Sequence, residues 1–148
     1  MMVREIDLRL RNDGMEIRQL ASTLEYIGGL SNIPSKALFR LNLAIDELLT
    51  NTISYGYPDA REAEINVRLR HTGDRLEVRL ADDGIPFDPL TLPDPDTTSD
   101  LDQRAVGGLG VHLVRTLMDG VTYERDHHQN IVTLTLLMPP SVNGGRPD

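Results

Sequence analysis

What this 148-residue sequence lacks excludes several classes of protein. It has no cysteine, which rules out disulfides, thiolate catalysis and thiolate metal sites. Basic residues are few: there are 15, of which Lys36 is the only lysine, against 23 acidic residues. The resulting net charge of −8 argues against direct nucleic-acid binding, because no basic excess is available to neutralise phosphates.

Long apolar runs are also absent. No segment approaches the roughly 18 apolar residues that a membrane-spanning helix needs, and "MMVREIDLRLR" lacks the apolar core of a signal peptide. We therefore expect a cytoplasmic protein without membrane association. Its length, with 39% hydrophobic and 26% charged residues, indicates a single globular domain at residues 1–138, followed by a disordered tail at residues 139–148.

The period of the apolar residues predicts the order of the elements. "EIDLRLR" alternates as a half-buried strand does, and a helix with a stop at Gly28 and Gly29 follows it. A second helix is predicted at about residues 35–55, with Asn51 beside its buried stripe rather than in it. Two hairpins are expected, with turns near residues 72–74 and 127–130, and a third helix lies between them.

Residues 85–106 break this regular pattern. Four prolines prevent a continuous element, and loops of this length are usually lids, binding loops or linkers. We interpret the segment as a flexible lid. The order βααββ–lid–αββ then predicts an α+β two-layer sandwich, in which helices cover one face of a mixed, mainly antiparallel sheet.

Three groups of residues interrupt the pattern in a way that suggests a ligand. Glu47 and Asn51 lie one helical turn apart and should project from the same flank. Asp82 and Gly84 end a strand, and the glycines of "GGLG" begin a helix, where backbone N–H groups can approach a phosphate. Each group alone has an ordinary explanation: a solvated helix flank, a turn, and a tight connection into a helix.

Taken together and in this order, the three groups resemble the motifs of the GHKL (histidine kinase-like) ATPases. "DELLTNTISYGY" resembles their helix box, "DDGIPFDP" their aspartate-glycine box, and "GGLGVHLVRTLMD" their second glycine box. The small size and the run from "GGLGVHLV" to "NIVTLTL" are similar to the anti-sigma-factor serine/threonine kinases of bacterial partner switching. The resemblance covers roughly residues 42–137 and implies a Bergerat-type ATP-binding fold.

The resemblance implies a role for each motif residue. Asn51 would hold Mg²⁺ between the phosphates of ATP, and Glu47 would be the catalytic base. Asp82 would accept a hydrogen bond from the adenine amino group, and Gly84 would let the chain pass close to the base. The remaining implied nucleotide contacts lie in the lid or just after it: Arg104, Gly107, Gly108, Leu109 and Gly110.

The implied function is that of an ATP- and Mg²⁺-dependent serine/threonine kinase and anti-sigma factor. Its implied partners are a STAS-domain anti-sigma antagonist, which it phosphorylates, and a sigma factor, which it sequesters. Relatives of this kind are often homodimers. The alternative is a nucleotide-gated binding module without significant kinase activity, and the presence of Glu47 favours the kinase.

Histidine chemistry is not expected. His112 is interpreted as a packing or surface residue rather than a phosphoacceptor. His127 and His128 lie in a predicted hairpin turn, and two adjacent residues alone do not make a zinc site. The catalytic domain of a two-component histidine kinase is disfavoured, because no dimerisation helix pair with a phosphoacceptor histidine fits before the first strand.

Overall fold

The computed structural model describes residues 3–91 and 110–138. Its elements, in chain order, are β1 (Val3–Arg11), α1 (Gly14–Leu30), α2 (Ser35–Gly56), β2 (Glu64–Thr72), β3 (Arg75–Asp82), a 3-10 helix (Pro89–Thr91), α3 (Gly110–Leu117), β4 (Gly120–Asp126) and β5 (Gln129–Leu137). This order confirms the one predicted from the sequence. Most of the predicted lid and the predicted disordered tail lie outside the described residues.

The five strands form one sheet in the order β1-β2-β3-β5-β4. Alternate strand residues, such as Leu76 and Val78 of β3, are buried in a core shared with the helices. The strand residues that alternate with the buried ones, such as Arg68 of β2 and Arg79 of β3, lie on the other face of the sheet and are only half buried. The α+β two-layer fold is therefore confirmed, with one refinement: all four pairs of described strands are antiparallel, whereas the sequence suggested a mixed sheet.

Both predicted hairpins are present with short turns. Residues 73–74 connect β2 to β3, and Gly73 adopts a φ of 56° that glycine accommodates without strain. Residues 127–128 connect β4 to β5, and His127 has a φ of 57°. His127 and His128 are both exposed, as expected for loop histidines.

Helix α1 begins at a side-chain cap and ends later than predicted. The Asp13 carboxylate accepts hydrogen bonds from the backbone N–H groups of Met15 and Glu16, which have no partner inside the helix. The helix then continues through Gly28 to Leu30, so the predicted stop at the glycine pair is wrong. Gly28 is buried, and a Cβ atom there would lie 2.7 Å from a methyl carbon of Leu38. This glycine lets α1 pack closely on α2.

Helix α2 is the longest element, with 22 residues. Helical spacing predicts a buried stripe of Leu41, Ala44, Ile45, Leu48 and Thr52; the first four are buried, and Thr52 is only half buried. Asn51 is buried with them, which the sequence did not predict. No helix in the described part of the chain combines the length and apolar content required to span a bilayer.

Candidate functional site

Asn51 is a polar side chain placed in the core of the protein. It is 0% exposed, and neither Oδ1 nor Nδ2 has a hydrogen-bond partner in the structure, which describes residues 3–91 and 110–138. A buried polar group without a partner costs about 1–3 kcal/mol of stability. One turn earlier on α2, Oε2 of Glu47 is also buried and unpaired. Two unpaired polar side chains on one helix flank are the arrangement expected of a ligand site.

The environment of Glu47 raises the proton affinity of its carboxyl group. Burial raises the pKa of its carboxyl group, and the negative charge of the neighbouring Asp46 raises it further. A carboxylate that is poorly solvated in this way is a better proton acceptor than one in water. Glu47 is therefore suited to take a proton from a bound hydroxyl group.

The residues around Asn51 fit Mg²⁺ only if the ion is shared with a ligand. Over the described ranges, no group of three or more His, Asp or Glu side chains could hold a metal ion. Mg²⁺ usually keeps several waters and binds through one or two protein oxygens together with substrate phosphates. The unpaired Oδ1 of Asn51 supplies one such oxygen.

Asp82 ends β3 with its carboxylate turned into the protein. It is 7% exposed, and its Oδ1 accepts hydrogen bonds from the Gly84 backbone N–H at 2.9 Å and from Asn130 Nδ2 at 3.0 Å. Burial raises the pKa of Asp82, and the hydrogen bonds from Asn130 and Gly84 oppose that shift. No donor from the described residues reaches Oδ2, so this oxygen is the one left for a ligand.

Gly84 joins the end of β3 to the end of α2. A Cβ atom at this position would lie 2.6 Å from the Gly56 carbonyl oxygen, which already accepts a hydrogen bond from Ile85 N–H at 2.9 Å. Only glycine fits there without displacing backbone. The structure thus gives Gly84 a packing role, and its predicted position beside a base remains a prediction.

The adjacent Asp83 faces the other way. It is exposed, and its carboxylate lies 3.1 Å from Arg61 and accepts a hydrogen bond of 2.9 Å from the Tyr57 hydroxyl. The Arg61 guanidinium also lies 4.9 Å from the centre of the Tyr57 ring. These contacts hold Asp83 on the surface, and they leave Asp82 as the carboxylate inside the site.

Asn130 belongs to the site, and the sequence analysis missed it. It lies opposite Asp82 in the β3–β5 register, and it is buried. Its amide nitrogen donates to Asp82 and to the Ile85 carbonyl, and its oxygen accepts from the Tyr123 hydroxyl and Arg125. The alternation of buried residues along β5 contained the signal, because Asn130 occupies a core-facing position that precedes Val132, Leu134 and Leu136.

The first part of the predicted lid is anchored to the fold. Phe87 N–H donates to Asn130 Oδ1 at 3.2 Å, and the Leu90 carbonyl accepts a hydrogen bond of 3.3 Å from Arg115 on α3. Helix α3 begins at Gly110, and its exposed His112 is a surface residue. The other predicted nucleotide contacts lie outside the described residues: Arg104, Gly107, Gly108 and Leu109.

Glu47 and Asn51 lie on α2, and the Asp82–Gly84 loop packs against the last residue of the same helix. With a rise of about 1.5 Å per residue, Glu47 and Asn51 are separated by about 6 Å along α2, and Gly56 lies about 7.5 Å beyond Asn51. Gly56 is the residue against which the Asp82–Gly84 loop packs. The site is therefore elongated, with a buried carboxylate at one end and a carboxylate–amide pair at the other. This shape suits a ligand that carries a hydrogen-bond donor at one end and a metal-bound anion at the other.

Comparison with known proteins finds a matching domain family and similar protein kinases. A family model of the histidine kinase-like ATPase domain matches residues 10–136. The chain is 30% identical to the serine/threonine-protein kinase BtrW of Bordetella bronchiseptica over 132 residues, which are 84% of this chain and 93% of the relative. It is 35% identical to the serine-protein kinase RsbW of Bacillus subtilis over 112 residues, which are 73% of this chain and 67% of the relative.

Solved structures share the fold at low sequence identity. The RsbU and RsbW domains of a Mycobacterium tuberculosis protein match with a TM-score of 0.65 and 15% identity, over 90% of this chain and 32% of that one. The SiaB–SiaC complex of Pseudomonas aeruginosa contains a chain that matches with a TM-score of 0.53 and 13% identity, over 88% of this chain and 89% of that one. At these identities the likeness concerns the fold alone.

Proposed function

Because this chain belongs to the histidine kinase-like ATPase family and is a protein serine/threonine kinase within it, we propose that α2 and the end of β3 form its ATP site. In this proposal, Asp82 accepts a hydrogen bond from the adenine amino group. Asn51 would hold Mg²⁺, which would supply positive charge next to the nucleotide phosphates. Glu47 is the catalytic base.

One observation carries the proposal: the amide of Asn51 is fully buried and has no hydrogen-bond partner over residues 3–91 and 110–138. An apolar residue at this position would avoid the cost of an unpaired amide. Its retention beside the unpaired Oε2 of Glu47 supports a role in holding ligand atoms rather than in packing.

The proposed reaction transfers the γ-phosphoryl group of ATP to a serine or threonine of a partner protein. The substrate hydroxyl oxygen forms a bond to the γ-phosphorus, the bond from that phosphorus to the β–γ bridging oxygen breaks, and ADP leaves. The hydroxyl proton passes to Glu47, whose half-buried position raises the pKa of its carboxyl group. Mg²⁺, when bound, supplies positive charge that stabilises the negative charge on the phosphate oxygens.

The proposal extends to the phosphate contacts on sequence grounds. Gly107, Gly108 and Leu109 precede α3, and Gly110 is its first residue. The first N–H groups of a helix have no partner inside it and favour a bound anion. We assign these four residues to phosphate binding because of their positions in the family motif, and Arg104 to the γ-phosphate because it is the only basic residue of residues 85–106.

The proposed partners follow from the similarity to partner-switching kinases. The substrate is a STAS-domain anti-sigma antagonist, and the nucleotide-bound form of the kinase captures a sigma factor. In this proposal the kinase is a cytoplasmic homodimer. The net charge of −8 suits a partner with a basic surface. Phosphorylation of the antagonist ends its competition with the sigma factor.

The test is incubation of the purified protein with ATP, Mg²⁺ and a candidate STAS-domain protein, followed by intact mass measurement of both proteins. We expect one phosphoryl group on the STAS-domain protein and none on the kinase, and we expect EDTA to prevent the transfer. A protein that binds ATP and a sigma factor but transfers no phosphate to any STAS-domain partner would instead be a nucleotide-gated binding module.

A further inference from the structure

We infer that Asn130 is a positioning residue that sets the base specificity of this site. The inference rests on the proposed function, since it assumes that Asp82 contacts the base. It concerns a residue outside the three sequence motifs, on β5 rather than on α2 or β3.

The side-chain amide of Asn130 is held in one orientation. Its Nδ2 donates to Asp82 Oδ1 at 3.0 Å and to the Ile85 carbonyl at 2.8 Å. Its Oδ1 accepts from the Tyr123 hydroxyl at 2.7 Å, from Arg125 Nη1 at 3.1 Å and from the Phe87 N–H at 3.2 Å. A flipped amide would place its oxygen against two acceptors and its NH₂ group against Arg125 and the Phe87 N–H, so four contacts oppose the flip.

The fixed amide determines which part of Asp82 can meet a ligand. Oδ1 of Asp82 is occupied by Asn130 and by the Gly84 N–H. The carboxylate is thereby prevented from rotating, and Oδ2 is the oxygen that remains to accept a hydrogen bond. Arg125 supports this arrangement from β4, because its Nη1 also donates to the Gly84 carbonyl at 2.9 Å.

A fixed acceptor distinguishes bases by the group they present to it. Adenine presents an amino group, which donates to a carboxylate oxygen, whereas hypoxanthine and guanine present a carbonyl oxygen at the same ring position. A carboxylate that cannot rotate rejects that carbonyl, because two acceptors would face each other in a buried site. Without Asn130, Asp82 could turn, or bind a proton and donate it to the carbonyl.

The experiment measures the dissociation constants of ATP and inosine triphosphate, in the presence of Mg²⁺, for the full chain and its variants. In Asn130→Leu we expect the preference for ATP to fall by about 10-fold to 100-fold, the factor associated with one unpaired buried polar group. The ratio of the two constants is the diagnostic quantity, because a merely structural defect would weaken both nucleotides equally.

A second variant tests the same point with a smaller change. Tyr123→Phe removes only the hydroxyl that holds Asn130 Oδ1, so we expect a loss of preference in the same direction and of smaller size, about threefold. Thr133→Val is the matched control, because Thr133 lies on the same strand and is only half buried. The preference of Thr133→Val for ATP over inosine triphosphate should equal that of the wild type.

The outcomes separate this inference from the proposed function. A wild type that binds ATP and inosine triphosphate equally would show that Asp82 does not select the base. The proposed contact between Asp82 and adenine and the positioning role of Asn130 would then both be wrong. A wild type that prefers ATP, with Asn130→Leu and Tyr123→Phe keeping that preference in full, would overturn the role of Asn130 and leave the ATP site intact. Should Asn130→Leu fail to fold, Tyr123→Phe decides the question.

Discussion

Gly84 and Gly56 are in such close contact that a Cβ atom on Gly84 would lie 2.6 Å from the Gly56 carbonyl oxygen. The contact joins the last turn of α2 to the loop that follows β3, and the Ile85 N–H bonds to the same carbonyl. The Gly84 N–H in turn donates to Asp82. The position of Asp82 relative to α2 therefore depends on the absence of a side chain at residue 84.

Gly84→Ala should separate the loop from the helix. We expect it to lower the free energy of unfolding by about 1–3 kcal/mol, the usual cost of forcing extra atoms into a packed site, and to weaken ATP binding. Urea denaturation and a binding titration measure the two effects. Gly29→Ala is the matched control, because a Cβ atom there meets nothing within 4 Å, and it should stabilise α1 slightly. Equal stability of Gly84→Ala and wild type would contradict the packing role.

Asn51→Leu should make the unliganded protein more stable while removing its response to Mg²⁺. The substitution replaces an unpaired buried amide with an apolar side chain of similar size, for an expected gain of about 1–3 kcal/mol. The extra rise in melting temperature that Mg²⁺ adds to ATP should disappear. Asn42→Leu, at a half-buried position on the same helix, should keep that increment. Destabilisation of unliganded Asn51→Leu would instead indicate that Asn51 has a structural role.

The stability difference between Asp82→Asn and wild type should depend on pH. Burial raises the pKa of Asp82 above its ordinary value of 3.8, so the folded state binds the proton more tightly than the unfolded state does. The carboxyl group therefore makes the wild type lose stability as pH rises from 3.8 through the raised pKa. Asp82→Asn lacks this loss. The free energy of unfolding of the variant should therefore increase relative to that of the wild type between these two pH values, and the difference should stay constant above them. Urea denaturation at a series of pH values from about 4 to about 7 would measure it. A stability difference that shrinks with rising pH would mean that the hydrogen bonds to Asp82 lower its pKa by more than burial raises it.

The features that the sequence predicted well are those set by neighbouring residues. Alternation along β2 and β3 and helical spacing along α2 are local patterns, and both describe the observed elements. The end of α1 was predicted wrongly because Gly28 does not end the helix; its lack of a side chain makes room for Leu38 on α2. A glycine that permits close packing looks the same in the sequence as a glycine that ends a helix.

The candidate site shows the same limit. The spacing of Glu47 and Asn51 indicated a shared flank, but the complete burial of Asn51 depends on how the other elements cover α2. Asn130 was missed because its partner Asp82 is 48 residues away, and only the β3–β5 register brings the two together. A polar residue at a core-facing strand position is a signal of such a partner, although the sequence does not identify that partner.

The most direct test of the central claim is single-turnover phosphate transfer by Glu47→Gln, with the ATP-induced shift in melting temperature measured on the same preparation. Glutamine has nearly the shape of glutamate but cannot accept the proton, so we expect transfer to a STAS-domain substrate to slow by about 10²–10⁴. The melting shift should be retained, because Glu47 is not assigned to nucleotide binding. Glu5→Gln, the same change at an exposed glutamate on β1, should transfer at about the wild-type rate. Transfer by Glu47→Gln at the wild-type rate would contradict the account.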